Sequence, residues 1–476
     1  MKIFRLLTPL LLTIVAVFCF APAAWAFCGF YVAKADTKLY NKASQVVIAR
    51  NGDRTVLTMA NDYQGEVKDF AIVVPVPTVL QKDQVRVTEP TIIERLDAFS
   101  APRLVEYFDP NPCPPLPIFS GIVNSSEGVI NIDESETFTN PDLGVTVEAS
   151  FNVDEYDIVI LSAKESGGLE TWLTQNGYKI PQGAKQLLQP YIRSSMKFFV
   201  AKVNLDKFEE SGYQLLRPLQ ISYQSPKFML PIRLGMINAK TEQDLIVYIL
   251  SPQGEAQLTN YRTVKIPSNV NLPVFIKNEF GEFYKSLFQT AYTKEGKRVG
   301  FLEYAWDMGS CDPCAANPLT QEELKEAGVF WLNDNSLSKR GKVIPIKVIP
   351  STVIPITVTP IPRFAPRAFN SNVFISRLHV RYTRDTFPED LTFLQTANRE
   401  LFQGRYILQY PFEGEVKCEA GKEYKRSLPK RFEQEAQTLA RLTNGNIQDI
   451  RNKMKLSVGN LTYSWLENVQ SWFGFD

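Results

Sequence analysis

Short stretches in which apolar residues alternate with polar ones, or run unbroken, recur along most of the chain. Such stretches are the signature of half-buried and fully buried strands. Val46-Val47-Ile48 leads into Asn51-Gly52, and Val56, Leu57 and Met59 follow. Residues 45–60 therefore predict a hairpin turning at Asn51-Gly52, with both turn positions at positive φ. Residues 70–74 predict a strand ended by Pro75-Val76-Pro77. Further strands are expected at 145–151, 158–161, 198–203, 299–306, 374–381 and 402–409. Residues 219–223 alternate and read as half-buried, whereas the unbroken run 245–250 reads as a central strand.

Helical spacing is rarer. A helix is expected from about Thr88, with Pro90 in its first turn, because Ile92, Leu96 and Phe99 share one face. Pro102 should break it, with a short second helix reaching Phe108 and then the loop Asp109-Pro110-Asn111-Pro112-Cys113. Residues 167–176 predict a helix with Leu169, Trp172 and Leu173 inward. Residues 184–193 predict another, kinked at Pro190. Thr320-Gln321-Glu322-Glu323 is a capping box for a helix that Gly328 closes. Residues 431–443 form an amphipathic helix through Phe432, Ala436, Leu439 and Leu442, stopped at Asn444-Gly445-Asn446. Strands outnumber helices and the helices interrupt them irregularly. The expected class is α+β: mainly antiparallel β-sheets with interspersed helices and C-terminal amphipathic helices.

Within residues 343–362, Val343-Ile344-Pro345-Ile346 recurs as Val353-Ile354-Pro355-Ile356, and Pro345, Pro350, Pro355 and Pro360 fall every fifth residue. Proline at that density bars a helix or a central strand, so a stiff spacer or insert is expected. A partner-docking ribbon is the alternative. The tail repeats Leu461, Trp465, Val469 and Trp472 at helical spacing. Its polar face lacks the Lys and Arg of membrane-surface helices. Docking on the body or on a protein partner is the expectation, and peripheral membrane contact the alternative. The expected organisation is a signal peptide at 1–26, an N-terminal α+β domain at 27–210, a second β-rich domain at 211–420 carrying the insert 343–362, and a helical tail at 421–476.

The N-terminus gives the compartment. Lys2 and Arg5 precede an apolar run from Leu6 to Phe20, and Ala24-Trp25-Ala26 supplies a small-residue cleavage site. These are the three parts of a secretory signal, and the run is short for a membrane span. Cleavage after Ala26 and an extracytoplasmic, periplasmic location are expected; an uncleaved anchor is the alternative. The 52 basic and 51 acidic residues nearly cancel, which predicts no affinity for nucleic acid. Aromatic residues make up 12%, enough to argue against disorder.

Six cysteines are present, of which Cys19 would leave with the signal. In an oxidising compartment the remaining five predict disulfides and one thiol left over. The expected pairs are Cys28 with Cys113 and Cys311 with Cys314, leaving Cys418. The Cys311-Asp312-Pro313-Cys314 motif stands between a strand and a capped helix, loosely as in thiol–disulfide exchange sites. A lone Cys-x-x-Cys is weak evidence, and a structural disulfide is the plainer reading. No metal site is expected. A structural zinc usually needs four ligands, and nothing in the spacing requires Cys418 or His379 to join the pair. The acidic stretch 131–136 lacks the glycine of a calcium loop.

His379 is the only histidine. That excludes a two-histidine zinc peptidase, and no nucleophile-elbow, phosphate-loop or dinucleotide motif accompanies it. No cofactor is expected. On an alternating strand Arg377, His379 and Arg381 share one face, a candidate anion-binding site whose plain alternative is a solvated or ion-paired surface. Lys422, Lys425, Arg426, Lys430 and Arg431 read as a solvated helix entrance.

Several stretches resemble the bacterial domain-of-unknown-function 2330 family. They are Cys28-Gly-Phe-Tyr-Val-Ala-Lys-Ala, the 45–64 hairpin, Phe70-Ala-Ile-Val-Val-Pro-Val-Pro77, Asn111-Pro-Cys113 and Tyr156-Asp-Ile-Val-Ile-Leu161. Gly168-Leu-Glu-Thr-Trp-Leu173, the Cys311–Cys314 motif and residues 378–391 join them. The likeness spans residues 28–420, its N-terminal half is similar to cyanobacterial members, and the 343–362 ribbon looks added. It implies an exported bacterial protein and carries no activity or catalytic residue to transfer. The expected function is a non-catalytic binding or envelope-associated module. The alternative is a thiol–disulfide oxidoreductase using Cys311 and Cys314.

Overall fold

The apolar run at 245–250 becomes the middle of the molecule in the computed structural model. Every residue of the strand that holds it, β14 (Gln243–Ser251), is buried. Around it a nine-stranded sheet is built from β3 (Ser44–Asn51), β4 (Arg54–Met59), β7 (Val85–Val87), β12 (Leu219–Gln224), β16 (Arg262–Lys265), β18 (Val299–Asp307) and β19 (Phe374–Tyr382). Their order is β16-β18-β19-β14-β3-β4-β12-β7, and β21 (Phe402–Gln403) also pairs with β18. A five-stranded antiparallel sheet has the order β1 (Phe30–Ala33), β6 (Phe70–Val76), β11 (Lys197–Val203), β10 (Tyr156–Ala163), β9 (Val145–Val153). Three small sheets complete the set: β17 (Val270–Leu272) with β22 (Arg405–Tyr410) and β8 (Arg103–Phe108); β13 (Met229–Leu230) with β20 (Leu391–Gln395) and β15 (Ala256–Leu258); and β2 (Tyr40–Asn41) with β5 (Tyr63–Gln64).

The structure describes residues 30–33, 40–41, 44–60, 63–64, 70–113, 145–164, 166–176, 178, 183–211, 216–237, 242–310, 312, 316–332 and 372–459. The signal segment 1–26, Cys28, the stretch 131–136, Cys311, Cys314, the ribbon 343–362 and the tail 461–475 lie outside them.

The helices are α1 (Thr91–Ser100), α2 (Ser166–Gln175), α3 (Ala184–Arg193), α4 (Leu205–Ser211), α5 (Ile276–Lys294), α6 (Gln321–Glu326), α7 (Glu419–Thr443) and α8 (Ile447–Gly459). The fold class is α+β, with mostly antiparallel sheets. The inner faces of the two large sheets share one core, where Ile72, Ile158 and Phe199 join Val46, Leu57 and Ile221. Ile92, Leu96 and Phe99 of α1 and Leu324 of α6 pack with Tyr248 and Leu250 of β14. Leu169 and Leu173 of α2 and Leu188 and Tyr191 of α3 cover Phe198 and Val200 of β11. Burial of these apolar faces, at roughly 25 cal/mol per Å², dominates what holds the layers together. Among the described residues no helix is long and apolar enough to cross a membrane.

Most of the predicted elements are present, including the α6 capping box, in which Thr320 Oγ1 accepts from the Glu323 amide and the Glu323 carboxylate from that of Thr320. The differences have physical causes. Residues 103–108 form a strand, not a helix, because β22, some 300 positions later, pairs with all six of them in parallel register. The 402–409 stretch splits at Gly404 into β21 and β22, which belong to different sheets. At the first hairpin, Asn51 pairs with Arg54 and the turn residues are Gly52-Asp53. Only Gly52 has positive φ there, as a type II′ rather than a type I′ turn demands. β12 keeps one fully buried face, Leu219, Ile221 and Tyr223, while its other face grades from buried Gln220 through Ser222 to exposed Gln224. The C-terminal helix α7 starts at Glu419, and α5 and α8 pack against it. The expected boundary at 210/211 falls between strands of one sheet, since β3, β4 and β7 precede it and the other members follow.

Candidate functional site

Arg377, His379 and Arg381 do share one face of β19, and three carboxylates meet them there. The first comes from an irregularity in β18. Leu302 lies opposite Leu378 and Tyr304 opposite Arg377, so Glu303 is the extra residue of a β-bulge. A bulge re-aims a side chain that regular alternation would send elsewhere. Glu303 Oε2 accepts from Arg377 Nε at 2.7 Å and Oε1 from His379 Nδ1 at 2.7 Å. Tyr284 of α5 also donates its hydroxyl to Oε1. The second carboxylate, Asp244 of β14, faces His379 Nε2 at 3.2 Å and takes two bonds of 2.7 Å from Arg381. The third, Asp97 of α1, accepts from Arg377 Nη1 at 2.6 Å and from the Tyr248 hydroxyl at 2.9 Å.

Glu303 is 1% exposed. Burial opposes its charge, but His379 and Arg377 outweigh burial and hold its carboxyl well below the usual range. Burial likewise opposes the imidazolium, yet Glu303 and Asp244 raise His379 to about 9. With His379 charged, three cations balance three anions. The ring stacks on Phe288 of α5 at 3.9 Å, and the Arg381 guanidinium lies 4.8 Å from the same ring. Both ring nitrogens are thus committed to carboxylates and one face to an aromatic. A histidine so held is a tie between strands and helices, not a proton shuttle. The cations that the sequence offers to an external anion are matched by internal ones.

The cysteines are arranged differently from expectation. Cys113 is bonded to Cys418, with Cα atoms 5.9 Å apart across 305 positions. Cys28 is therefore not the partner of Cys113, and Cys418 is not left over. The cause is the placement of β8, whose pairing with β22 carries Cys113 to the start of α7, where Cys418 is the N-cap. Nearby, Asp109 accepts from Tyr424, Arg431 and Gln409. Arg431 of the predicted basic patch is thus an ion-pair partner, whereas Lys422, Lys425, Arg426 and Lys430 are exposed. Asp312, inside the Cys311–Cys314 motif, is buried and accepts from Tyr304 at 2.9 Å and Gln403 at 2.7 Å. That carboxylate ties Asp312 itself to β18 and β21.

A concave surface lies elsewhere among the described residues. A half-open cleft of about 190 Å³ runs between α3, β13 and the start of β20. Its floor is Asp390, whose Oδ1 accepts from the Tyr191 hydroxyl at 2.6 Å and the Ile232 amide at 2.9 Å. Its Oδ2 lies 3.3 Å from Arg233 Nε in an ion pair. Burial is the largest influence on Asp390 and raises its carboxyl above the ordinary value against those donors. The hydrophobic pattern did not single out Asp390, Arg233, Glu303, Asp244 or Asp97. The one available signal was a lone charge in an apolar run, as for Glu303 in Val299-Gly-Phe-Leu-Glu-Tyr-Ala-Trp306. Among the described residues no group of His, Cys, Asp and Glu is arranged to hold a metal ion.

A family model described as an uncharacterized protein conserved in bacteria, DUF2330, matches residues 22–394. The match ends within β20, so Gly404, Cys418 and α7 lie beyond it. No curated protein and no solved structure matches the chain.

Proposed function

We propose a function for a chain that belongs to the DUF2330 family of uncharacterized proteins conserved in bacteria: it is an exported, non-catalytic binding protein of the cell envelope. The observation that carries the reading is how the ionisable groups are spent. The only histidine is closed between Glu303 and Asp244, and the buried acid of the cleft, Asp390, is satisfied by Tyr191, Arg233 and backbone amides. Neither is poised to take a proton from a substrate. What remains is a small cleft with a mixed apolar and polar lining, the form of a recognition site. The Cys113–Cys418 cross-link supports export, because such bonds persist in oxidising compartments.

The test is to produce the full-length chain in a bacterial host, fractionate the cells and map the peptides after alkylation without reduction. The reading expects a mature start at Phe27 and a linked Cys113–Cys418 peptide in the periplasmic fraction. An uncut chain in the cytosol with free thiols would overturn it. The redox alternative is read from insulin reduction by dithiothreitol. Turnover by the wild type that disappears in Cys314→Ser would replace the binding reading with an oxidoreductase.

A further inference from the structure

We propose that residues 460–476 fold back across the entrance of α7, seating an aromatic side chain on the step formed by Phe108 and Tyr410 and placing Glu467 against Arg426. The step stands at the end of the small parallel sheet. Phe108 of β8 and Tyr410 of β22 are paired in register, and their rings stack at 4.9 Å. Phe108 is nevertheless 71% exposed, more than any other large apolar side chain among the described residues. One face of its ring is covered, and the remainder offers a stacking surface to a further aromatic ring. Two residues earlier on the same face of β8, Glu106 accepts from Lys277 Nζ at 2.8 Å, so the step borders the first turn of α5.

The last described helix returns to this place. Only Asn444-Gly445-Asn446 joins α7 to α8, yet Arg451 of α8 donates to Glu433 of α7 at 2.6 Å. A bond reaching that far behind the turn means that α8 runs back along α7. From Arg451 to Gly459 it advances about 12 Å further, which brings its end level with the turn of α7 that holds Tyr424. The Tyr424 hydroxyl donates to Asp109, the residue after Phe108. On its other side α8 touches the start of α5, where Lys453 Nζ lies 2.7 Å from Glu279 and 5.6 Å from the centre of the Phe275 ring. The helix thus ends between the two elements that border the step.

Residues 460–476 continue from that end and have the matching chemistry. Tyr463, Trp465, Trp472, Phe473 and Phe475 are aromatic, Glu467 and Asp476 are acidic, and no residue of the segment is basic. Trp465, six residues past Gly459, reaches about 9 Å as helix or about 20 Å as extended chain, against the roughly 10 Å that separates packed elements. Arg426 precedes Glu433 by two helical turns and so lies on the side of α7 that α8 occupies. It is exposed, and its guanidinium has no partner among the described residues. An acidic aromatic segment complements that surface, whereas an anionic lipid surface repels it. Because the segment is tethered, it meets the step at about millimolar effective concentration, and a weak contact suffices. Docked there, it forms a third tie on α7 beside the Cys113–Cys418 bond and the Asp109–Arg431 pair.

The experiment places the photo-crosslinking residue p-benzoylphenylalanine at position 108 of the full, disulfide-bonded chain and maps the products by mass spectrometry. Cross-links from that position to residues 460–476 of the same chain are expected. The same probe in place of Leu394, which is 57% exposed on a different sheet, should give none to that segment. Glu467→Arg should lower the yield about threefold, the range of an exposed ion pair, and Arg426→Glu added to it should restore the yield. Phe108 is exposed, so the probe should leave the melting temperature unchanged, and that is checked in parallel. No cross-link to residues 460–476, or equal yields from positions 108 and 394, overturns the proposal. So do cross-links between isotopically light and heavy chains, which would give the step to a second copy. Loss of the cross-link on adding phosphatidylglycerol vesicles, with the chain sedimenting alongside them, would make the segment a membrane contact instead. A yield indifferent to both charge changes overturns the pairing of Glu467 with Arg426.

Discussion

The Gly404 amide donates to the Glu303 carbonyl at 2.7 Å, and a Cβ on Gly404 would lie 3.0 Å from that same oxygen. The backbone of residue 404 thus approaches the bulge of β18 more closely than a side chain permits. That approach presses β21 and the start of β22 against the residue whose carboxylate joins Arg377 to His379.

Gly404→Ala should therefore destabilise the fold. The tightest neighbour of such a Cβ is the backbone oxygen of Glu303, with Ile266 Cγ2 at 3.3 Å, and overpacking of this kind costs about 1–3 kcal/mol. The urea midpoint should fall with the slope unchanged. A midpoint equal to that of the wild type would show that the bulge does not depend on this contact.

Removing the Glu303 carboxylate strands two buried cations. Glu303→Ala should cost about 3–5 kcal/mol, the penalty for breaking a buried pair by deleting one partner. Glu303→Gln keeps the shape and removes the charge that raises His379, so the imidazole should titrate well below about 9. Ring C–H chemical shifts followed against pH read that change directly. A titration identical to the wild type would mean that Asp244 alone holds the charge.

The pH dependence has a definite sign. His379 is raised from 6.5 to about 9 in the folded state. Its contribution is fully present below the unfolded value of 6.5 and disappears as pH rises through 9. The stability advantage of wild type over His379→Gln should shrink across that window in thermal unfolding. An advantage that stays level to pH 10 would contradict the charge-balanced network.

Glu435 behaves as a buried acid beside Arg431. Burial raises it from 4.5 to about 8, and Arg431, 3.6 Å away, only partly offsets that. Its Oε1 has no hydrogen-bond partner. The protonated form is the stable one, so its contribution is full below 4.5 and fades as pH passes 8. Glu435→Gln should match the wild type near pH 5 and exceed it at pH 9. The reverse order at pH 9 would show that the ionised pair with Arg431 is the favoured state.

The Cys113–Cys418 bond closes most of the chain into one loop. Cys113→Ser with Cys418→Ser should lose about 2–5 kcal/mol. Hydrogen exchange should report the loosening first at the N-terminal turns of α7. A variant that keeps full stability would show that the Asp109–Arg431 pair and the α5 contacts hold α7 unaided.

Much of the element order was legible because it is local. A period of two writes the second half of β19 into the sequence, and an unbroken apolar run writes β14. Thr320 and Glu323 cap their own helix, and Ile92, Leu96 and Phe99 need only each other to define a face. The helix α5 was not among the expected elements, although Phe283, Leu287 and Ala291 are spaced at i, i+4; it bends at Glu279. The candidate site was legible only in part. The shared face of Arg377, His379 and Arg381 follows from alternation. Their partners do not, because Asp97, Asp244 and Glu303 arrive from three other elements.

By itself, the sequence determined which segments extend and which coil, the α+β class, and the single histidine that bars several catalytic schemes. Only tertiary structure decided that residues 103–108 are a strand, that Cys113 meets Cys418, and that Glu303 turns inward at a bulge. Each of those outcomes depends on a partner far away in the chain, and local preference cannot encode a contact whose other half lies between 74 and 305 residues distant.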